Sequence, residues 1–278
     1  MHFIVESGST KSDWVLVDSK NNQSFHTTIG FNPYFHSSEL ITSEIKKNLD
    51  IMNVAPEIKS VYFYGAGCSS SEMNAIVEAG LKKIFVNAFI LVEHDLLACA
   101  YATYTGRPVI SCIIGTGSNS CLFDGENLSE VVPALGYILG DEGSGAYLGK
   151  KVIQYYLYQT FDEELMAGFT KRFNTSKDEI LNNVYKQPLA NRYLAHYAIF
   201  LSENRGHYMI ENIIEDGLND FFFTHLYKFK ESWKLPINFV GSVAFGFKDV
   251  LKELCNTYEL ELGKVLKAPM EGLVTYHK

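Results

Sequence analysis

The sequence has no apolar run near the ~20 residues that cross a bilayer, which excludes a membrane-spanning helix. It has no block of Lys and Arg. With 24 basic against 32 acidic residues the net charge is −8, a field that repels phosphodiester backbones and speaks against a nucleic-acid binder. Cysteine is sparse. Cys68, Cys99, Cys112, Cys121 and Cys255 are an odd, scattered set without a CxxC pair, which suggests neither a zinc site nor a disulfide framework. No linker or low-complexity segment interrupts the chain, and no extension carries a helix-turn-helix. Met1-His2-Phe3-Ile4-Val5-Glu6 lacks a positive stretch and meets a carboxylate at once, so a cytoplasmic protein is expected.

What is there is an α/β pattern with an internal repeat. His2–Glu6, Asp13–Asp18 and Ser24–Ile29 read as strands joined in two hairpins. A helix is predicted from Ser38 to Leu49, capped by Ser37 or Ser38, then a strand over Ser60–Tyr64 and a helix over Ser71–Phe85. A strand over Ala88–Val92 and a helix from about Leu96 to Tyr104 follow. After Gly106-Arg107-Pro108 the opening order returns, with strands at Val109–Ile114, Asn119–Phe123 and Leu128–Val132. The repeat predicts two related α/β domains facing one another. From Ser144 to about Lys230 the period is helical, with caps at Asp162 and Thr175-Ser176 and a break at Pro188. A strand at Pro236–Val240, a helix at Val243–Leu254, an edge strand at Glu259–Gly263 and a helix at Pro269–Tyr276 complete the chain.

Five motifs carry chemistry. Glu6-Ser7-Gly8-Ser9-Thr10-Lys11 turns the first hairpin. Successive N–H groups of such a turn make a concavity for anions, and the hydroxyls of Ser7, Ser9 and Thr10 add donors. Glu6 could hold a Mg²⁺-bound water and Lys11 could touch a phosphate. Gly115-Thr116-Gly117-Ser118-Asn119 stands at the equivalent place in the repeat. Either turn alone matches an ordinary hairpin; two at equivalent places describe a clamp on a polyphosphate. Val240-Gly241-Ser242-Val243 passes from a strand into a helix and suits a flat group such as adenosine, or a plain β–α turn. Glu93-His94-Asp95 follows a strand. A carboxylate there points into the crevice of an α/β sheet and can take a proton from an attacking hydroxyl; Asp95 is also a good helix cap. Gly140-Asp141-Glu142-Gly143-Ser144 opens a helix with two acids, which favours the helix by itself and offers Asp141 as a grip on a sugar hydroxyl.

Taken together these residues resemble the phosphate-1, phosphate-2 and adenosine motifs of the actin/sugar-kinase/heat-shock-chaperone superfamily. Within it the chain is similar, over nearly its whole length, to N-acetylglucosamine kinase and the related BadF/BadG/BcrA/BcrD-type ATPases. The resemblance implies an α/β fold of two ribonuclease H-like domains, each a mixed sheet with flanking helices, and a ligand cleft between them. The first domain would span 1–107 plus 268–278 and the second 108–267, with a helical insertion. It implies Asp95 as catalytic base, with Ser9, Thr10, Lys11, Thr116, Gly117, Gly241 and Ser242 on ATP. It implies Asn32, Gly65, Ala66, Ser118, Asn119 and Asp141 on the sugar, and Glu6 on Mg²⁺ through water. A homodimer is the family's expectation.

Two departures stand out. Glu6 occupies a position where much of the superfamily has Asp, and Pro133-Ala134-Leu135-Gly136-Tyr137 replaces the Gly/Trp segment that flanks the N-acetyl group in animal homologues. The expected function is ATP-dependent phosphorylation of an amino sugar. N-acetylglucosamine comes first, and muramic or N-acetylmuramic acid next. The rivals are a partner-driving ATPase with an iron–sulfur cluster held by cysteines, and a non-enzymatic sensor.

Overall fold

The computed structural model describes residues 1–8, 11–129 and 132–277. The chain forms two compact units, Met1–Tyr104 with Pro269–Lys278, and Thr105–Ala268. Among the described residues, no helix is long and apolar enough to cross a membrane.

The first unit opens with β1 (His2–Ser7), β2 (Lys11–Val17) and β3 (Gln23–Ile29), two antiparallel hairpins in register. Next come α1 (Ser38–Lys46), α2 (Leu49–Val54), β4 (Ser60–Gly65), α3 (Ser71–Lys82), β5 (Phe89–His94) and α4 (Asp95–Thr103). The strands lie in the order β3-β2-β1-β4-β5, with β1, β4 and β5 parallel. Strand β1 is apolar throughout its middle because both its faces are covered. Phe3 and Val5 join Trp14, Val61 and Phe63 in one core. Ile4 joins Val15, Tyr64 and Ala98 in another.

The helix expected over Ser38–Leu49 ends at Lys46, and a second one begins at Leu49. Asn48 accepts the Ile51 N–H at 3.2 Å and starts α2 afresh. Strand β5 runs two residues past Val92 and enters α4 directly, so His94 takes the cap position and Asp95 is the first helical residue. The reading of Asp95 as a cap is therefore corrected.

The second unit repeats the plan. β6 (Val109–Ile114), β7 (Ser118–Phe123) and β8 (Leu128–Ser129) form two antiparallel pairs; the remainder of the strand expected to Val132 includes Glu130 and Val131, outside the described residues. Helices α5 (Gly136–Leu139), α6 (Gly145–Leu157), α7 (Glu163–Phe173), α8 (Lys177–Tyr185), α9 (Ala190–His196), α10 (Ile199–Glu203) and α11 (Tyr208–Thr224) follow. Asp162 and Ser176 cap α7 and α8. Then come β9 (Ile237–Val240), α12 (Ser242–Gly246), α13 (Lys248–Thr257) and β10 (Leu262–Leu266). The order β10-β9-β6-β7-β8 has the topology of the first sheet.

Two expectations shift here. The helix predicted over Val243–Leu254 breaks at Phe247, whose ring is buried in the core. The edge strand predicted over Glu259–Gly263 lies at Leu262–Leu266, because Leu260 turns into the core instead of continuing a strand. Finally α14 (Met270–Tyr276) returns to the first unit, where Leu273 and Val274 pack beside Ile4 and Ala98.

Candidate active site

In the first unit the strand register builds a polar row at the carboxyl end of β1. Asp13, Glu6, Tyr64 and Glu93 are Cα partners across β2, β1, β4 and β5. Asp95 starts α4 one residue beyond the end of β5. Glu6 is partly buried, and its carboxyl is pushed up to about 7 from an ordinary 4.5. Burial is the largest cause, followed by the nearby charges of Asp95 and then Asp13; Lys11 offsets part of it. Lys11 is exposed and pairs with Asp13 at 2.9 Å. Ser9 and Thr10, the other expected ATP contacts of this turn, lie outside the described residues.

Ser7 is not a spare donor, which corrects the reading of its hydroxyl. It is fully buried. Its Oγ accepts the Phe31 N–H at 2.8 Å and the Ser12 hydroxyl at 2.7 Å, and donates to the Phe31 carbonyl at 3.2 Å. Strand spacing fixes this role, since Ser7 pairs with Ser12 at the hairpin end. The bonds to Phe31 fix the backbone just before Asn32. The Asn32 carbonyl accepts the N–H groups of Phe35 and His36, each at 2.9 Å, and its side chain accepts that of Tyr34 at 3.0 Å. Gly67 has φ +83, and a Cβ there would lie 2.9 Å from Asn32 Cγ. Ala66 N–H donates to the Ser7 carbonyl at 2.9 Å. The structure therefore joins Asn32, Gly65, Ala66 and the end of β1. Cys68 is buried behind them, its thiol pushed up to about 12 by burial and by the charges of Asp95 and Glu93.

In the second unit three motifs meet. The Gly115 N–H donates to the Gly117 carbonyl at 2.9 Å, closing the β6–β7 turn. The carbonyls of Gly115 and Thr116 accept the N–H groups of Gly145 (2.8 Å) and Ala146 (3.0 Å), so the first turn of α6 is tied to the phosphate-type turn. Gly241 has φ +134, and its N–H donates to the Leu266 carbonyl at 2.9 Å. A Cβ on Gly241 would fall 2.6 Å from the Ile114 carbonyl carbon and 3.1 Å from Gly115 N. Only glycine allows this contact, which seats the Gly241-Ser242 corner on the Gly115–Gly117 turn. Ser242 is exposed at the start of α12.

Asp141 takes a left-handed backbone, φ 58. Its carboxylate accepts the Ser118 N–H at 3.2 Å, and its carbonyl accepts that of Ser144 at 3.1 Å. A Cβ on Gly117 would lie 3.0 Å from this carboxylate, so Gly117 makes room for it. Burial raises the Asp141 pKa, the Ser118 bond lowers it, and Glu142 raises it. Ser118 is buried, and its hydroxyl donates to the Glu142 carbonyl at 2.8 Å. This places Ser118 behind Asp141 as its support, where the sequence suggests a direct sugar contact. The Asn119 side chain accepts the Ser120 N–H at 2.8 Å. Sequence reasoning missed Asp13, Tyr64, Ser120 and His225. The hairpin register, counted outward from the tight turn, could have found Asp13 opposite Glu6.

No protein-family model matches the sequence, and no curated protein does. A Porphyromonas gingivalis structure, provisionally named an N-acetylglucosamine kinase, is 35% identical over 100% of this chain and 98% of its own, with a TM-score of 0.94. The chain belongs to the N-acetylglucosamine kinase family. That family sits in the actin-like ATPase superfamily, and two more distant structures show the same fold. One, from Chromobacterium violaceum and provisionally given the same name, has a TM-score of 0.74 at 14% identity, covering 100% of this chain and 98% of its own. The other is a ROK family glucokinase from Streptomyces griseus in complex with glucose and AMPPNP. It has a TM-score of 0.59 at 17% identity, covering 99% and 97%.

The raised Glu6 carboxyl of this kinase-family chain has a thermodynamic consequence. A carboxyl whose folded pKa exceeds its unfolded one stabilises the fold below the unfolded pKa, and that stabilisation is lost as pH rises through the folded pKa. In metal-free buffer the protein is expected to lose stability on the order of 3 kcal/mol between pH 4.5 and about 7, relative to Glu6→Gln. Urea unfolding of both proteins at pH 5 and pH 8 measures it; parallel profiles would mean that Glu6 titrates normally.

Proposed function

We propose that the protein transfers the γ-phosphoryl group of ATP to a hydroxyl of an amino sugar, N-acetylglucosamine foremost. One observation carries this reading. In a chain of this family, Glu6 and Asp95 are close enough for the charge of one to raise the pKa of the other. They sit at the carboxyl end of parallel strands, where α/β sheets bind their ligands. The name of the 35%-identical relative supports the sugar.

In this mechanism Asp95 accepts the proton of the attacking hydroxyl as its oxygen forms the new P–O bond; the β–γ bridging bond breaks and ADP leaves. Asn32, whose side chain Gly67 leaves room for, and Asp141, held by Ser118, orient the sugar hydroxyls. Thr116, Gly117, Gly241 and Ser242 bind the nucleotide with Ser9, Thr10 and Lys11.

The residues present fit Mg²⁺. Partly buried carboxylates are hard oxygen donors, and the repulsion that raises the Glu6 pKa is relieved by a cation. Among the described residues no group of three or more His, Cys, Asp or Glu side chains is placed to hold a metal ion. Glu6 would hold the ion through water, with phosphate oxygens supplying further ligands. When bound, it neutralises charge on the transferring phosphoryl group. The iron–sulfur ATPase reading is disfavoured by the thiols, since Cys68, Cys99, Cys112, Cys121 and Cys255 are all buried.

ADP release with Mg·ATP, across N-acetylglucosamine, N-acetylmannosamine, glucosamine, muramic acid, N-acetylmuramic acid and glucose, tests the proposal. Stimulation by N-acetylglucosamine well above the others is expected. Equal turnover with and without sugar would overturn it.

A further inference from the structure

One buried titratable side chain in the second unit has no part in the mechanism above. His225 ends α11 and is 3% exposed. Its ring stacks on Phe221 with centroids 4.4 Å apart. Nδ1 lies 2.9 Å from Ser120 Oγ, and Nε2 lies 3.9 Å from Glu142 Oε2. Burial pushes the imidazole pKa down to about 4, so the ring is neutral and carries one N–H. A carboxylate only accepts, whereas a hydroxyl can donate. The arrangement that sets no acceptor against another has Ser120 donating to Nδ1 and Nε2–H facing Glu142.

Ser118 and Ser120 stand two residues apart on one face of β7. Ser118 holds Asp141 through its N–H and the Glu142 carbonyl through its hydroxyl. Ser120 holds the His225 ring, whose other nitrogen faces the Glu142 carboxylate at 3.9 Å. Asp141 needs such support, because a left-handed backbone at a non-glycine residue persists only where its surroundings over-determine it.

We infer that His225 is a positioning residue: fixed by Ser120, its ring presents an N–H dipole to the Glu142 carboxylate and packs behind the Asp141-Glu142 turn, holding it in the geometry that binds the sugar. The inference rests on the reading of Asp141 as a sugar ligand. His225→Phe keeps the ring stack and removes both nitrogens, while His225→Gln returns an N–H donor toward Glu142. For His225→Phe the sugar KM is expected to rise about three-fold or more, as for loss of an N–H dipole facing a carboxylate at 3.9 Å, beyond direct hydrogen-bond reach. The turnover number and the ATP KM should stay within about two-fold, and His225→Gln should recover most of the sugar KM. Amide hydrogen exchange over 140–144 should quicken in His225→Phe while that of β9 is unchanged. Ser120→Ala gives the same test from the other end of the link should His225→Phe not fold.

An unchanged sugar KM, or equal losses in turnover, ATP KM and thermal midpoint, would overturn the inference. A wild-type protein that no sugar stimulates would reject the kinase reading instead. In that case the exchange comparison alone still decides whether His225 holds the turn: quickened exchange supports it, and unaltered exchange overturns it.

Discussion

Asp95→Asn is expected to lower the turnover number roughly 10²–10⁴-fold, the usual contribution of a positioned general base, with the KM values for ATP and sugar little changed. Asparagine keeps the shape of the side chain and loses the ability to take a proton. The substitution should not harm the fold. It removes an acid from the first turn of α4, worth about 0.3–1 kcal/mol. It also removes the charge that, after burial, does most to raise the Glu6 pKa. The two changes oppose one another, so the thermal midpoint should move by only a few degrees. A second readout comes with the variant: the Glu6 pKa should fall from about 7, and the pH-dependent loss of stability should shrink with it. Near-normal phosphorylation by a folded Asp95→Asn protein would remove Asp95 from the mechanism.

Gly241→Ala is expected to be the most damaging small change in the second unit's site. Gly241 has φ +134 and ψ 160, a region that side chains do not enter. The added methyl would meet the backbone of Ile114 and Gly115, which cannot rotate aside as a flexible side chain would. Backbone strain of about 1–3 kcal/mol and a steric penalty of similar size together predict a loss of about 3 kcal/mol or more. The urea midpoint should fall with the slope unchanged, as for a pure stability change. Because the methyl presses on the Gly115–Gly117 turn, ATP affinity should fall as well, measured by calorimetry on the fraction that remains folded. Stability and ATP affinity equal to wild type would contradict the seating of Gly241 on that turn.

Much of the architecture is legible in the residues because it follows from short-range rules. Alternation and tight turns mark β1 to β3 and their recurrence as β6 to β8, and the recurrence announces two sheets of one topology. Ser37, Asp162 and Ser176 cap the helices that follow them, since a cap bonds to an N–H only three residues away. The order of the glycine-rich turns was enough to suggest the family, and the site residues stand at turns whose local chemistry is visible.

Other features depended on contacts that no local rule reaches. Strand β5 extends past Val92 and makes Asp95 a first-turn residue, because its pairing with β4 continues to Gly65 and His94. Phe247 breaks a helix that the apolar period would carry through, because burying its ring outweighs helical continuity. Ser7 and Ser118 look like free donors in a turn and are instead buried struts, their hydroxyls bonded to residues 24 positions away. The sequence by itself determined most of the elements, their order and the residue types at the site, since these depend on neighbours along the chain. Which hydroxyls are left for a ligand, how far Glu6 is raised by Asp95, and that His225 stands behind Glu142 were decided only by the tertiary structure, since burial and charge act through space.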